Sequence, residues 1–359
     1  MTPPGLAALV EEVWSGATAR GRLLRAALTP AAVAYGTVMA VRNRLYDRGW
    51  LAAGRVAARV LAVGNLTVGG SGKTPAALWL ASRLAARGRR VAIVARGYGK
   101  RRRGVVVVGT GGVPRVGPEE GGDEAVLLAR RFAGPVVTGE RRVDAAALAV
   151  ERFGVDTIVL DDGFQHRALG RDADLVLVPE AGLPRRLLPA GPLRERPTAL
   201  ARAQAVLAVG RAGAFPPLPA VPPGVPAFRG RFVPTALVAA TDGLWREEPL
   251  ARLAGRRVVA AAGIARPAAF AALLEAAGAS VVGAIAFPDH CPYDEATLRD
   301  LAAAAAGAEV VVTEKDLVKL AGRPGTSGVR ALRIALEVED ERALLDCLAA
   351  AAGLDLQPE

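Results

Sequence analysis

Short apolar runs alternate with helical patterns along most of the chain. The runs Val60–Val63, Val91–Ala95 and Ala173–Val178 are continuously hydrophobic, which is typical of strands buried on both faces. Apolar residues at helical spacing follow several of these runs, so we expect a parallel sheet covered by helices. The same pattern predicts further strands at Val105–Val108, Pro135–Thr138, Val155–Leu160 and Ala205–Val209, and helices at residues 76–88, 125–132 and Arg142–Phe153.

A second unit of the same kind follows a proline-rich stretch. Residues 211–228 include the sequence PPLPAVPPGVP, which predicts a linker or a surface loop. Beyond it the pattern predicts strands at Arg257–Ala262, Ser280–Phe287, Glu309–Thr313 and Val329–Leu336, and helices at Pro267–Gly278, Asp294–Ala306 and from about Asp340. The 359 residues suffice for two α/β domains, which we place at residues 60–228 and 229–359.

Residues 1–59 form a basic and apolar segment that precedes the two domains. Leu6–Trp14 has the pattern of an amphipathic helix, and Ala26–Val41 contains no charged residue but is flanked by Arg25 and Arg42. This uncharged stretch, broken by one proline and one glycine, is shorter than the ~20 residues that span a bilayer. It fits a helix in the interface of an anionic leaflet, and equally a helix packed on the protein's own surface.

The composition narrows the set of partners. A net charge of +11 favours nucleotides, anionic lipid surfaces and other polyanions. Aromatic residues make up only 4% of the chain and no nucleic-acid-binding module is recognisable, so we expect no nucleic-acid partner. Only four of the 46 basic residues are lysines. Each lysine is therefore informative, since its ammonium group is a compact point charge, whereas the guanidinium group of arginine is planar and donates as a fork. Two cysteines without metal-ligand spacing fit a reducing cytoplasm.

The strongest chemical signal is the sequence VLAVGNLTVGGSGKTP at residues 60–75. An apolar strand, a glycine-rich turn and the start of a helix follow one another, so backbone N–H groups and a helix N-terminus can hold phosphate oxygens. Lys73 can reach the outer phosphates, and the Thr74 hydroxyl can bind Mg²⁺. Thr67 stands where the strict phosphate-loop pattern has its first glycine, and a glycine turn without a ligand is the alternative. The predicted nucleotide-binding residues are Thr67, Val68, Gly69, Gly70, Ser71, Gly72, Lys73 and Thr74.

Acidic residues stand at the ends of several elements. Asp161 and Asp162 end an apolar strand, where paired carboxylates suit a Mg²⁺ site of the Walker B kind, although one of them could simply be a cap. Asp123 and Glu124 open a helix, a position that acidic residues often occupy for local reasons. His290 follows a strand of the second domain, where a histidine is more often an ordinary loop or core residue.

Two loops are candidates for contact with a ligand. The sequence Arg96-Gly97-Tyr98-Gly99 follows a strand, and its two glycines suit a close approach to a ligand, although an ordinary turn explains them as well. Residues 184–197, PRRLLPAGPLRERP, are rich in arginine and can bind a phosphorylated or acidic substrate through guanidinium forks.

Taken together, these stretches resemble the tetraacyldisaccharide 4′-kinase family of lipid A biosynthesis. The resemblance runs from about residue 30 to about residue 345 and rests on VGNLTVGGSGKTP, ARGYG, GDE, DDGFQHRALGRDADLVLV, LLPAGPLRE, AGIARPAAF, FPDHCPY and VVTEKDLVKL, in this order. Thr67 in the phosphate loop is usual in that family. The resemblance implies a P-loop NTPase-like α/β/α sandwich, a second and smaller α/β domain that contributes His290, and an N-terminal helical segment that associates with a membrane.

The resemblance also implies a reaction, in which the γ-phosphate of ATP is transferred to the 4′-hydroxyl of a tetraacyl glucosamine disaccharide 1-phosphate to give lipid IVA. It implies ATP and Mg²⁺ as cofactors, the lipid A disaccharide precursor as substrate, and peripheral or monotopic attachment to the cytoplasmic face of the inner membrane. An acceptor that resides in a bilayer favours the interfacial interpretation of the N-terminal helix. We expect a monomer.

Roles for individual residues follow from the same resemblance. Asp123 is expected to be the base that deprotonates the sugar hydroxyl, His290 its partner, and Lys73 the third catalytic residue. Metal ligands are expected among Thr74, Glu124, Asp161 and Asp162. Substrate contacts are expected from Arg96, Tyr98, Gly99, Gln165, His166, Arg194 and Glu195.

Two other functions use a similar phosphate loop. A GTPase normally carries an [NT]-K-x-D motif, whereas Lys315 and Asp316 are adjacent here, and a metal-insertion ATPase normally carries cysteine or histidine clusters that this chain lacks. A basic, ATP-binding membrane adaptor would bind ATP but would transfer no phosphate to a lipid.

Replacing Lys73 tests the phosphate-loop assignment. We expect Lys73→Ala to weaken ATP binding and also to reduce phosphoryl transfer, because the ammonium group contacts the outer phosphates before and during the reaction. Titration with ATP and a steady-state kinase assay measure the two effects. An unchanged rate would contradict the assignment.

Overall fold

The structure is a computed structural model that describes residues 4–210, 213–241, 244–264, 266–305 and 307–357. Its helices are α1 Pro4–Ser15, α2 Ala19–Asp47, α3 Lys73–Ala86, α4 Pro118–Gly121, α5 Asp123–Arg131, α6 Arg142–Phe153, α7 Pro267–Ala276, α8 Glu295–Ala305, α9 Glu314–Leu320 and α10 Glu341–Ala352. Its strands are β1 Arg59–Asn65, β2 Val91–Ala95, β3 Val106–Thr110, β4 Val113–Pro114, β5 Val136–Thr138, β6 Thr157–Asp161, β7 Ala173–Pro179, β8 Ala205–Gly210, β9 Ala227–Thr241, β10 Leu244–Glu248, β11 Arg257–Ala262, β12 Ser280–Ala286, β13 Glu309–Thr313 and β14 Arg330–Val338.

The strands in the described part of the chain form one continuous sheet of fourteen strands, and their order is β12-β11-β13-β14-β9-β8-β7-β1-β6-β2-β5-β3-β4, with β10 paired to β9. Within this order, the run β9-β8-β7-β1-β6-β2-β5 consists of mutually parallel strands, and so does the run β12-β11-β13-β14. Parallel strands place their carboxyl ends at the same edge of a sheet. The loops that follow β1, β2 and β6 therefore lie side by side.

Helices cover both faces of the sheet, as the sequence predicts. Leu61 and Val63 of β1 pack in the same cluster as α3 and α10, whereas Val60 and Ala62 pack in the cluster that contains α6. Alternate residues of a strand point to opposite faces, so an uninterrupted apolar run is what a strand between two helical layers needs. The second half repeats this arrangement, with α7 on one face of β11 and α8 and α9 on the other.

An antiparallel ladder joins the two halves of the sheet. Strand β9 is 15 residues long, pairs in parallel with β8, and pairs antiparallel with β14 from Gly230 opposite Val338 to Ala239 opposite Arg330. The sequence analysis did not predict β9 or β10. The last two residues of the linker predicted at 211–228 belong to β9, since this strand begins at Ala227. The first two residues of the predicted linker lie outside the described part of the chain. The division at residues 228 and 229 stays a prediction.

The N-terminal helix α2 is longer than the uncharged stretch in its middle. It spans 29 residues and continues through Pro30 and Gly36, so these two residues do not interrupt it. Its most apolar window has a mean hydropathy of 1.3 and is 11% buried, so length and composition allow this helix to cross a membrane, contrary to the expectation from the uncharged stretch alone. The predicted end of the later helix α8, Ala306, lies outside the described residues.

The covered faces of the sheet predict where the fold is sensitive to substitution. Leu80 of α3 is fully buried, so Leu80→Ala removes apolar contacts and leaves a cavity, with an expected loss of about 2–5 kcal/mol in the free energy of unfolding. Leu218 is 48% exposed, and Leu218→Ala is the matched control with little expected effect. Urea unfolding followed by circular dichroism measures both, and equal effects would place Leu80 outside the core.

Candidate active site

The phosphate loop connects β1 to α3 and is held by short polar contacts. The Asn65 amide donates hydrogen bonds to the Thr67 hydroxyl at 3.1 Å and to the Ser71 hydroxyl at 2.7 Å. Gly72 has a φ of +79°, and a Cβ atom there would collide with the ring of Phe232 from β9. Only glycine satisfies both conditions, so this position is fixed by the backbone and by its neighbour.

Beside the loop, the end of β6 supplies two aspartates. Thr74 donates from its hydroxyl to Asp161 Oδ2 at 3.0 Å, and Lys73 Nζ lies 3.9 Å from Asp162 Oδ1. The other oxygen of Asp161, Oδ1, is buried and has no hydrogen-bond partner. Burial and the charges of Glu124 and Asp162 raise the pKa of Asp161 to about 7, although the charge of Lys73 opposes this shift. Excess negative charge and an unpaired oxygen therefore face the phosphate loop.

Asp123 and His290 form a hydrogen-bonded pair, although they are 167 positions apart in sequence. The Nδ1 atom of His290 lies 2.9 Å and 3.1 Å from the two carboxylate oxygens of Asp123. Asp123 is only 5% exposed and begins α5, and a Cβ atom on the preceding Gly122 would lie 2.9 Å from the Tyr98 carbonyl oxygen. A residue without a side chain at 122 lets the loop after β2 approach the start of α5.

Helix α9 brings two lysines to this pair. Lys315 donates to Glu124 Oε1 at 3.1 Å, and Lys319 Nζ lies 3.6 Å from Asp123 Oδ2. Burial alone would raise the pKa of Asp123, but the hydrogen bond with His290 and the charges of Lys315 and Lys319 outweigh burial and lower it. Asp123 is therefore an ionised carboxylate at neutral pH. Neither lysine was predicted as a site residue, although the scarcity of lysine singled out both positions.

The loop after β2 reaches the same pair. The Tyr98 ring is 61% exposed, and its centroid lies 4.6 Å from that of the His290 imidazole. Arg96 is exposed, and Gly99 has a φ of +77° in the turn that follows Tyr98. This loop therefore presents an aromatic ring beside the Asp123–His290 pair, while Arg96 is close enough to His166 to lower its pKa.

The loop after β6 holds Gln165 and His166 among basic side chains. Burial and the charges of four arginines lower the pKa of His166 to about 4, so this imidazole is neutral at pH 7. Its neighbour Gln165 donates to the Asn65 carbonyl oxygen at 2.9 Å and accepts from Arg194 at 3.3 Å. The four arginines are Arg42, Arg96, Arg142 and Arg171.

Arg194 and Glu195 are adjacent in sequence but point to different partners. Arg194 donates from Nη1 to both carboxylate oxygens of Asp162, at 2.9 and 3.0 Å, so it lies beside Lys73. Glu195 is 2% exposed and accepts from Asn43 of α2 and from Arg202. The structure thus brings Arg194 to the phosphate loop, while Glu195 anchors α2 to the rest of the protein.

Comparison with known proteins identifies this arrangement. The family model described as Tetraacyldisaccharide-1-P 4′-kinase (LpxK) matches residues 24–352. The chain belongs to the tetraacyldisaccharide 4′-kinase family. A tetraacyldisaccharide 4′-kinase from Anaeromyxobacter dehalogenans (strain 2CP-C) is 48% identical over 84% of this chain and 82% of the relative. One from Geobacter sulfurreducens is 42% identical over 84% of this chain and 86% of the relative.

A solved structure of the family agrees with the fold. The crystal structure of LpxK from Aquifex aeolicus, described as an "apo" form in complex with ATP, is 33% identical and superimposes with a TM-score of 0.76 over 91% of this chain and 99% of that chain. The predicted family and the predicted α/β fold class are thereby confirmed. The roles assigned to single residues of this kinase family member stay predictions, which the geometry above makes specific.

The depressed pKa of His166 predicts a pH dependence of stability. Between pH 6.5 and about 4 the unfolded chain binds a proton at this position and the folded chain does not, so His166 makes stability fall as the pH falls through this window. Replacing His166 by Gln removes this contribution, worth about 1–2 kcal/mol. Urea unfolding at pH 7.5 and pH 5 checks it: the wild type is expected to lose more stability than His166→Gln, and equal losses would contradict the shift.

Proposed function

We propose that this protein transfers the γ-phosphate of ATP to the 4′-hydroxyl of a tetraacyl glucosamine disaccharide 1-phosphate, a step of lipid A biosynthesis. The observation that carries the proposal is a series of contacts and charge interactions between the phosphate loop and the Asp123–His290 pair. Asp161 accepts from Thr74, the charge of Glu124 raises the pKa of Asp161, and Glu124 accepts from Lys315, which lies next to His290. This proximity supports a single site that holds both the phosphate donor and the proton acceptor.

The phosphate loop is the proposed ATP site. Its backbone N–H groups and the N-terminus of α3 face the position of the phosphates, and Lys73 supplies the positive charge for the outer ones. Loose phosphoryl-transfer transition states need positioning and charge neutralisation more than covalent chemistry. The side chains Lys73 and Arg194, both beside Asp162, concentrate positive charge where the transferred group has to sit.

The residues fit a magnesium ion that is bound through few protein ligands. Among the described residues no group of three or more histidine, cysteine or acidic side chains is arranged as a metal cluster. A phosphate-loop site needs no such cluster, because Mg²⁺ there keeps several waters and shares the phosphates. Thr74 and Asp161 would hold the ion, since the buried Asp161 Oδ1 has no other partner, with Glu124 and Asp162 supplying nearby charge. When bound, the ion would neutralise phosphate charge.

Asp123 is the proposed base. Its carboxylate is ionised, buried and oriented, so it can accept the proton of the acceptor hydroxyl while that oxygen forms the new bond to the γ-phosphorus, the bond from this phosphorus to the β–γ bridging oxygen breaks, and ADP leaves. His290 orients the carboxylate through Nδ1, and Tyr98 covers the imidazole. Arg96, Tyr98, Gly99, Gln165, His166 and Arg194 are the proposed contacts to the acceptor.

We assign Glu195 an indirect role in acceptor binding. Its buried carboxylate joins Asn43 of α2 to Arg202, and the Tyr35 hydroxyl of the same helix donates to the Arg194 carbonyl oxygen at 2.9 Å. Helix α2 is thereby fixed beside the loop that carries Arg194. The acceptor site and the N-terminal helix form one surface.

That surface is the proposed membrane attachment, at the cytoplasmic face of the inner membrane. The side of α2 that faces away from the protein carries apolar residues that are 53–72% exposed, namely Leu23, Val33, Val38 and Val41. Arginines at both ends of the helix suit an anionic headgroup layer. We propose peripheral or monotopic attachment of a monomer, with residues 60–228 as the kinase core and residues 229–359 as the smaller domain that carries His290.

The rival functions fit this geometry less well. Asp316, which a guanine-reading motif would use, is fully buried and accepts from Thr313 and from the Gly263 backbone. An ATP-binding adaptor needs a phosphate loop but has no use for a buried carboxylate paired with a histidine.

The substitution Asp123→Asn tests the proposed base. We expect kcat to fall by about 10²- to 10⁴-fold while ATP binding is nearly unchanged, because the amide cannot accept the proton and the partners of Asp123 among the described residues lie outside the phosphate loop. The assay follows radiolabelled γ-phosphate into the disaccharide lipid, with the product identified by mass. Asp346→Asn, at a 59% exposed position, is the control with normal activity. Near-normal turnover of Asp123→Asn would remove this residue from the role.

A paired substitution tests the membrane surface. We expect Leu23→Glu combined with Val38→Glu to reduce sedimentation with vesicles that contain anionic lipid, because two charges would have to enter the apolar layer. Val113→Glu combined with Leu218→Glu changes equally exposed apolar positions elsewhere, and it is expected to leave sedimentation unchanged. Equal sedimentation of both double variants would show that α2 is not the attachment.

A further inference from the structure

Two of the chain's four lysines stand one helical turn apart on α9, and both point at the Asp123–His290 pair. Residues at i and i+4 share a face of a helix, so Lys315 and Lys319 reach the site together. Lysines are rare here, at four of 46 basic residues, and arginine serves nearly everywhere else. An ammonium group is a compact point charge with three donors, whereas a guanidinium group is a planar fork. The site therefore uses a cation that the chain otherwise avoids.

Two carboxylate oxygens and one ring nitrogen surround the Lys315 ammonium group. Lys315 donates to Asp289 Oδ1 at 2.7 Å and to Glu124 Oε1 at 3.1 Å, and its Nζ lies 3.5 Å from His290 Nε2. An ammonium group can only donate, so this placement favours a lone pair on Nε2 and a proton on Nδ1. Nδ1 lies 2.9 Å from the Asp123 carboxylate, which can accept from it.

A proton on Nε2 instead would face Asp289. Among the described residues, Asp289 Oδ1 is the carboxylate oxygen paired with His290 Nε2, at 3.8 Å. That distance is too long for a hydrogen bond, and the same oxygen accepts from Lys315 at 2.7 Å. The position of Lys315 therefore favours a proton on Nδ1.

Lys319 also approaches the Asp123 carboxylate. Its side chain is 9% exposed, and its buried ammonium nitrogen lies 3.6 Å from Asp123 Oδ2 and 3.5 Å from Asp316 Oδ1, without a direct hydrogen bond. Asp316 is fully buried and fixed by the Gly263 N–H at 3.0 Å and the Thr313 hydroxyl at 2.7 Å. Asp316, in the second half of the protein, thus positions the Lys319 ammonium group next to Asp123, in the first half.

We propose that Lys315 and Lys319 are positioning residues of the transfer reaction, in which Lys315 selects the Nδ1–H tautomer of His290 and Lys319 fixes the Asp123 carboxylate. Nδ1–H then donates to the Asp123 carboxylate and holds it in one orientation, in which it can accept the proton of the acceptor hydroxyl. This role rests on the proposed function, since it serves the base of that reaction.

The tautomer can be observed without any activity. The full chain has only two histidines, so ¹⁵N-histidine labelling gives two imidazole signals in a long-range ¹H–¹⁵N correlation spectrum, and His290→Gln assigns them. At the pH of the kinase assay we expect a protonated Nδ1 and a bare Nε2 for His290. Lys315→Met is expected to move the proton onto Nε2 or to add one there, and Lys315→Arg, which also donates, to keep Nε2 bare. A wild-type proton on Nε2, or no change in Lys315→Met, would overturn the role of Lys315.

Kinetics test Lys319. We expect Lys319→Met to lower kcat by about 10- to 100-fold with the KM for ATP nearly unchanged, because a misplaced base costs turnover and not nucleotide binding. Arg342→Met removes one positive charge at an 86% exposed position and is expected to keep normal activity. If Lys319→Met fails to fold, the double variant Asp316→Asn with Lys319→Met removes both buried charges and is expected to show the same loss. A kcat within twofold of the wild type in a folded variant would overturn the role of Lys319.

The two proposals fail in different ways. A wild-type protein that transfers no phosphate to the disaccharide lipid would overturn the proposed function, whatever the imidazole spectrum shows. A wild-type protein with full kinase activity, but with the proton of His290 on Nε2 or with a lysine variant at normal kcat, would overturn the positioning roles alone.

Discussion

A buried negative charge at Asp123 constrains most of what surrounds it. A carboxylate that is 5% exposed is costly unless hydrogen bonds and cations compensate the lost water. Within the described part of the first half, the direct hydrogen-bond partner of Asp123 is the Glu124 N–H, at 3.0 Å. Further compensation comes from His290, Lys315 and Lys319 of the second half. The two halves are therefore joined at the place where the charge is needed, and separating them would expose an unpaired ionic group.

The sheet holds the two halves of the protein in a fixed orientation, so that His290 and the α9 lysines lie at Asp123. The ladder between β9 and β14 fixes the direction of the second half relative to the first, and β9 also carries Phe232 against Gly72 of the phosphate loop. A second ionic contact reinforces the alignment, because Glu314 of α9 is buried between Arg131 of α5 and Arg333 of β14, at 2.9 and 2.8 Å. Helices α5 and α9 are thus held near both ends of their contact.

Much of the fold follows from local pattern, because strands between two helical layers need continuous apolar runs and helices need apolar residues at their own period. The phosphate loop was predictable for the same reason, since strand, glycine turn and helix are contiguous. Strand β9 was missed. Its pairing partner β14 is about 100 positions away, and the arginines at positions 229 and 231 interrupt the apolar run that marks a buried strand. Helix α2 was underestimated, because Pro30 and Gly36 normally mark helix ends.

The site shows the same limit. Asp123 and His290 could be associated through the family resemblance, but spacing along the chain alone gives no reason for a pair 167 positions apart. Lys315 and Lys319 were visible only as rare lysines, since their targets are set by tertiary structure. Glu195 lies next to Arg194 in sequence, yet it turns inward to α2, which no local rule predicts.

The proposed membrane attachment through α2, beside the loop that carries Arg194, would have a consequence for how the enzyme meets its lipid substrate. An acceptor dissolved in a leaflet moves in two dimensions, and an enzyme fixed to the same plane would meet it by lateral diffusion. The effective supply would then be a number of molecules per unit area, so dilution of the surrounding solution would leave it unchanged. ATP would arrive from the bulk in three dimensions, and the two substrates would obey different concentration scales at one site.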